Sequence, residues 1–143
     1  MVPVSQLLAH KGPDLYRLRP EDPVIDAIRL MAEKSVGALL VMDGDRLVGI
    51  LSERDYARKV ILMGRSSKDT PIASIMTPMP LVTVTPTSRS KECMRLMTDK
   101  RIRHLPVVDG DKVVGMLSIG DLVRSYIEGL EGEVEQLKQY IAG

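Results

Sequence analysis

The sequence predicts an α+β protein built from two pseudo-symmetric βαββα halves packed into one module. Three observations carry this expectation. The chain repeats itself at a shift of 66 residues. Each copy holds an Asp-Gly-Asp turn between two apolar runs, a hairpin signal, because so tight a turn needs a positive φ. The strands beside each turn are almost continuously apolar, as in sheets covered on both faces. One half has too few helices to cover them, so the halves should pack on each other.

The repeat aligns without a gap. From Leu18 to Ile61, 17 of 44 positions are identical to their mates, too many for chance. Arg29-Leu30-Met31 falls on Arg95-Leu96-Met97, Asp43-Gly44-Asp45 on Asp109-Gly110-Asp111, Asp55 on Asp121 and Arg58 on Arg124. Two copies make a pair and not a solenoid, which needs three or more. A single half of about 60 residues would be marginal by itself.

Each element follows in turn. Val4 to His10 reads as a short helix ended by Gly12-Pro13. A short strand opens each half, Leu15 to Leu18 and Leu81 to Val84, and Pro20 or Pro86 follows it. A helix comes next. Asp22 is expected to cap the first one, with Pro23 at its first position. Val24, Ala27, Ile28 and Met31 keep helical spacing. Ser88 is the expected second cap, and Cys93, Met94 and Met97 take the matching apolar face. The hairpins run from Ala38 to Met42 and Arg46 to Leu51, then from His104 to Val108 and Lys112 to Leu117. Pro106 has no N–H and favours an edge or irregular position. A closing helix begins near Ser52 and near Ser118.

The expected organisation is residues 1–66 for the first repeat with its N-terminal helix, 67–80 for a linker, 81–129 for the second repeat and 130–143 for a helical tail. The linker holds a short amphipathic piece, Ile72 to Met76, before Pro78 and Pro80. In the tail, Leu130, Val134, Leu137 and Ile141 follow a heptad-like spacing with Glu and Lys beside them. Two readings stand: a helix packed on its own chain, or a self-association seam. Gly129 and Gly132 weaken the join to the preceding helix.

Bulk properties narrow the function. The 143 residues are 44% hydrophobic and 27% charged, with four Tyr and neither Phe nor Trp, so Leu, Ile, Val, Met and Ala must build the core. A formal net charge of +1 gives no global attraction to nucleic acid or an anionic membrane. No apolar run approaches the roughly 18 residues that span a bilayer. One Cys cannot form an internal disulfide, which fits a reducing compartment. The expected setting is the cytoplasm, away from nucleic acid and membrane. Two His, one Cys and scattered acids show no metal-ligand spacing. No phosphate loop or nucleophile elbow is present either. The expectation is a non-enzyme with no metal and no catalytic residues.

These residues resemble a known family. The paired repeats, each ending in Gly-apolar-apolar-Ser-x-x-Asp, are similar to a tandem CBS-domain pair, the Bateman module. The carriers are Gly49-Ile50-Leu51-Ser52-Glu53-Arg54-Asp55, Gly115-Met116-Leu117-Ser118-Ile119-Gly120-Asp121 and Arg103-His104-Leu105-Pro106-Val107-Val108, with Ile75-Met76-Thr77 before the second copy. The likeness covers roughly residues 3 to 130, with no catalytic or transport domain attached, as in a stand-alone module. It implies a regulatory sensor that binds an adenine nucleotide such as AMP, ATP or NAD in a cleft between repeats. It also implies pairing into a homodimer and an unidentified regulated protein.

The residues themselves suit such a ligand. A strand ends at Leu51 or Leu117 and a helix starts at once, leaving N–H groups that suit a phosphate. Ser52 and Ser118 place a hydroxyl there. Asp55 and Asp121, one turn on, can accept from the two hydroxyls of a ribose. The same Ser-x-x-Asp also reads as a helix capping box. The first expected site groups Leu18, Val36, Gly37, Ala38, Ser52, Glu53, Arg54, Asp55 and Arg58. The second groups Met76, Thr77, Val82, Thr83, Val84, Ile102, Arg103, His104, Leu105, Pro106, Ser118, Ile119, Gly120 and Asp121. Arg58 and Arg124 read equally as solvated helix residues, His104 as an edge-strand residue and Cys93 as core. The second site looks more like the family's AMP pocket. The alternative function is a ligand-free scaffold for dimerisation and protein docking.

Overall fold

The computed structural model describes residues 2–142. Helix α1 (Val4–Lys11) leads into β1 (Arg17–Leu18), α2 (Val24–Lys34) and the hairpin of β2 (Ala38–Asp43) and β3 (Arg46–Ser52). A short helix α3 (Glu53–Tyr56) widens into a π-helical turn at Ala57–Ile61. After a 3-10 turn at Ile72–Ser74 come β4 (Thr77–Pro78), α4 (Ser90–Lys100), the second hairpin of β5 (His104–Asp109) and β6 (Lys112–Ser118), and the long helix α5 (Ile119–Ala142). The first sheet has the order β1-β2-β3-β4, with β1 parallel to β2 and the other pairs antiparallel. Strands β5 and β6 form the second sheet. Gly44 (φ 60°) and Gly110 (φ 63°) make the two hairpin turns, the backbone state those turns demand.

Each lobe has its own core. Val24, Ala27, Met31, Leu39, Val41 and Leu51 fill the first together with Ile72 and Ile75 from the linker. Cys93, Met97, Leu105, Val107, Leu117 and Leu122 fill the second together with Val4. Cys93 is fully buried, and burial, with Glu92 adding to it, raises its thiol pKa to about 11, as befits a packing residue. Leu40, Met42, Leu47 and Val113 form a third cluster shared between the hairpins. Strand β2 is buried along five of its six residues, whereas β3 and β6 alternate. Interlobe packing therefore covers the hairpins, at about 1.5–3 kcal/mol for each large apolar side chain removed from water.

The helix starts are satisfied differently from expectation. Neither Asp22 nor Ser88 caps with its side chain, and α2 and α4 have no side-chain cap. The Asp22 carboxylate accepts instead from Arg19 N–H (2.9 Å), and Ser88 Oγ from Thr85 N–H (3.1 Å). The helices are joined to a crossing segment. Val24 N–H donates to Thr70 O (2.8 Å), Ile72 N–H to Asp22 O (2.9 Å) and Ala73 N–H to Pro20 O (2.9 Å). In the second lobe Ser90 N–H donates to Val2 O (2.8 Å), Val4 N–H to Ser88 O (2.8 Å) and Ser5 N–H to Pro86 O (2.9 Å). Val2-Pro3-Val4-Ser5 thus does for the second lobe what Thr70-Pro71-Ile72-Ala73 does for the first. Helix α1, grouped with the first repeat in the sequence, packs on the second core through Val4, Leu7 and Leu8.

Two further departures have local causes. The expected strand Leu81 to Val84 shrinks to one parallel bridge, Val84 to Val107, and the expected Leu15 to Leu18 to two residues. In the first lobe Leu40 N–H donates to Tyr16 O (3.1 Å). Its mate Pro106 has no N–H, so the matching bond to Val82 cannot form. Pro106 itself is buried within β5, between β6 and the Val84 bridge, because only its carbonyl is needed on that side. Helix α5 also runs unbroken through Gly129 and Gly132, so the tail continues the closing helix and is no separate unit.

Glycine packing offers a test of the crossing. A Cβ on Gly115 would meet Leu8 Cδ2 at 2.6 Å, and one on Gly49 would meet Met76 Sδ at 2.7 Å and Thr77 O at 2.8 Å. We expect Gly115→Ala to cost about 1–3 kcal/mol by overpacking, and most of that cost to vanish when Leu8 is already Ala. Gly49→Ala should cost more and resist rescue by Met76→Ala, because a backbone oxygen cannot yield. Urea unfolding measures both cycles; additive losses at Gly115 and Leu8 would contradict the packing of α1.

Candidate functional site

Each lobe ends a strand at serine and starts a helix, and both corners form complete capping boxes. Asp55 N–H donates to Ser52 Oγ (3.1 Å), while Asp55 Oδ2 accepts from Ser52 N–H (3.0 Å) and its hydroxyl (3.1 Å). Asp121 N–H donates to Ser118 Oγ (3.2 Å), and Asp121 Oδ2 accepts from Ser118 N–H (2.8 Å). Glu53 N–H donates to Gly37 O (3.0 Å) and Ile119 N–H to Arg103 O (2.8 Å). These bonds consume helix-start donors that sequence reasoning reserved for a phosphate.

Both aspartates nevertheless line clefts, and each cleft draws on both lobes. A cleft of about 520 Å³ brings Ser52, Glu53, Arg54 and Asp55 against Thr77, Val82, Ile102, Arg103, His104, Pro106 and Ile119. A larger one, about 810 Å³, brings Ser118, Asp121 and Arg124 against Tyr16, Val36, Gly37 and Ala38. The structure therefore regroups the expected sites crosswise: each Ser-x-x-Asp corner faces the opposite hairpin. Gly37 and His104 border both clefts; a Cβ on Gly37 would lie 3.6 Å from His104 Cε1.

Several expected residues line neither cleft. Leu18 and Met76 pack on the first core, and Leu105 and Val84 belong to the second. Thr83 and Gly120 also stay outside both. Arg58 is exposed in the π-helical turn, whose wider winding departs from the regular helix that carries its mate Arg124 into the larger cleft. Residues missed in the sequence include Ile50, Pro80, Leu81 and Arg101 in the smaller cleft and Lys11 and Tyr16 in the larger. Arg101 aligns with Ser35, and the shared left-handed backbone (φ 55° at both) places these helix ends beside the clefts.

Comparison with known proteins settles the family. Models of the CBS domain match residues 6–61 and 72–128. This chain belongs to the CBS-domain family. It is 46% identical over 127 residues to the mitochondrial CBS domain-containing protein CBSX3 of Arabidopsis thaliana, covering 86% of this chain and 62% of that protein. A solved structure with CBS domains from Burkholderia ambifaria MC40-6 shares 52% identity and a TM-score of 0.85, over 89% of this chain and 95% of that one. The CBS domain protein PAE2072 from Pyrobaculum aerophilum, solved in complex with AMP, matches at 27% identity and a TM-score of 0.74, over 84% and 89%. The chain spans only part of some curated relatives, 22% of the Arabidopsis protein CBSCBSPB5, for example. No helix among the described residues is long and apolar enough to cross a membrane.

The two CBS corners differ in their cations. Lys59 Nζ lies 3.3 Å from Asp55 Oδ1 and donates to Ile75 O (3.0 Å). Lys11 Nζ, at the end of α1, donates to Asp121 Oδ2 (2.8 Å) and to Met116 O (2.7 Å). Burial raises the Asp121 pKa, but the Lys11 and Ser118 hydrogen bonds outweigh it and hold the carboxyl below its ordinary value. Burial, followed by the Lys11 charge, lowers the His104 pKa to about 4, so the ring is neutral at pH 7; Asp121 opposes this and Arg103 adds to it.

A pH dependence follows. His104 is harder to protonate folded than unfolded, so the unfolded chain gains the proton first and stability falls as pH drops from about 6.5 to about 4. The Asp121 contribution is intact above its unfolded pKa and is lost as pH falls through the lower folded value. Melting temperature against pH should decline through both windows. His104→Gln should flatten the upper window only; an unchanged slope there would assign it to another group.

Proposed function

We propose that this CBS pair is a non-catalytic regulatory sensor that binds an adenine nucleotide, of the AMP, ATP or NAD type, chiefly in the smaller cleft. The observation that carries the reading is the composition of that cleft. Asp55 stands at one end, and Ile50, Leu81, Val82, Ile102 and Ile119 supply aliphatic walls for a purine. Arg54, Arg101 and Arg103 line it and, among the described residues, form no salt bridge, leaving three guanidinium groups for phosphate. A carboxylate has about four lone-pair sites, so Asp55 can accept from a ribose beside its capping bonds. The volume lies within the range of small-molecule sites.

Both aspartates have a lysine partner, but Lys11 donates to Asp121 at 2.8 Å whereas Lys59 stands 3.3 Å from Asp55, so a ligand in the larger cleft meets the more closely neutralised carboxylate. The AMP complex of PAE2072 supports the ligand class. A homodimer acting on an unidentified protein partner, in a reducing compartment such as the cytoplasm, completes the reading. A ligand-free pairing scaffold is the second reading, favoured by the fact that each serine–aspartate pair closes a capping box on its own helix start.

Thermal unfolding with AMP, ATP and NAD discriminates them. A ligand at about 100 times its Kd should add about 2.7 kcal/mol and raise Tm by several degrees. Asp55→Asn should weaken binding at least about tenfold while costing about 1 kcal/mol or less in stability, because an amide oxygen still caps. Asp121→Asn should leave the Kd nearly unchanged. No shift with any of the three ligands would favour the scaffold.

A further inference from the structure

Helix α5 continues well past the CBS match, which ends at residue 128. Every residue from Tyr126 to Ala142 is exposed, and none of them joins either core. Its apolar residues are not scattered. Val123, Ile127, Leu130, Val134, Leu137 and Ile141 are 43–82% exposed and follow one another at steps of 4, 3, 4, 3 and 4. That alternation draws a single stripe along the helix, the a/d seam of a coiled coil. Ile127, Val134 and Ile141 occupy a positions and Val123, Leu130 and Leu137 occupy d. β-Branched residues at a with leucine at d favour two parallel strands. Gly129 and Gly132 fall at c and f, on the outer face, where they do not interrupt the seam.

The flanking charges select the orientation. In a parallel, in-register pair each g residue meets the e residue five places later on the other helix. Glu133 then faces Lys138 of the second copy, twice by symmetry. An antiparallel pair could align the same apolar layers, Ile127 on Leu137 and Leu130 on Val134. It would oppose e with e and g with g: Arg124 against Lys138, Glu131 against Glu131 and Glu133 against Glu133. All three contacts would be repulsive. We infer that the α5 extension is an interaction surface for a second copy of this chain, joined as a parallel two-stranded coiled coil from Val123 to Ile141. The seam is short, but its helix already grows from a folded lobe, so pairing bears no helix-nucleation cost. The inference is independent of any nucleotide.

Sedimentation equilibrium and thiol cross-linking of the full chain test it. The wild type should be a dimer. Leu130→Glu with Leu137→Glu should weaken dimerisation at least about tenfold, with the melting transition of the lobes retained because both side chains are exposed. Leu137→Cys should form an intermolecular disulfide under mild oxidation, since the one native thiol, Cys93, is buried. In an antiparallel pair the two 137 positions would sit about 15 Å apart along the axis, beyond disulfide reach. Lys138→Glu should weaken the dimer and Glu133→Lys/Lys138→Glu should restore it. A monomeric wild type, a dimer indifferent to the glutamate pair, or failure of Leu137→Cys to cross-link would each overturn the inference, as would a dimer strengthened by Lys138→Glu.

Discussion

The two lobes are held by a crossing of backbone. Helices α2 and α4 begin without side-chain caps. Their first turns instead exchange hydrogen bonds with segments carrying Pro71 and Pro3, and the bonds Ser90 to Val2 and Val4 to Ser88 close a sequence separation of more than 80 residues. Each segment also inserts an apolar anchor into the core it crosses, Ile72 in one lobe and Val4 in the other. A half cut at the apparent repeat boundary would leave buried N–H groups unpaired and a core short of one anchor. That matters for lobes this small, whose stability is a narrow difference between large opposing contributions.

The same pseudo-twofold arrangement builds the clefts. Because each Ser-x-x-Asp corner faces the other lobe's hairpin, no cleft exists in a single repeat. Each cleft also inherits unlike partners, since the repeats have diverged at the positions that cross. The smaller cleft combines Asp55 with three arginines and aliphatic walls; the larger combines Asp121 with Lys11 and Arg124. His104 lies at the meeting point of both, desolvated and neutral. The capping box and the ribose-binding reading do not compete, since the capping bonds use only part of each carboxylate.

Helix α5 links the larger cleft to the proposed pairing surface. Asp121 and Arg124 lie on its first turns, and the apolar stripe begins at Val123 and runs to Ile141 on the same unbroken element. A continuous helix transmits tilt more directly than a jointed one. Occupancy at the cleft and pairing of two copies can therefore share one rigid lever, with differential affinity for two tilts as the source of any coupling.

The sequence by itself determined the duplication, both hairpins with their glycine turns, the apolar faces of the main helices, the buried role of Cys93 and the two serine–aspartate corners. The duplication rests on self-alignment at one fixed shift, and the others on short-range pattern: period, turn chemistry and capping spacing. Only the tertiary structure decided which corner faces which hairpin and which lobe receives α1. The segment repeat Pro3-Val4-Ser5 and Pro71-Ile72-Ala73 is spaced by 68 residues and not 66, so a fixed shift passes over it. Asp22 and Ser88 looked like caps because a local pattern cannot show that a distant strand's backbone already occupies those helix starts. Lys11 and Arg101 gave no motif; they matter through where packing of the two lobes brings them.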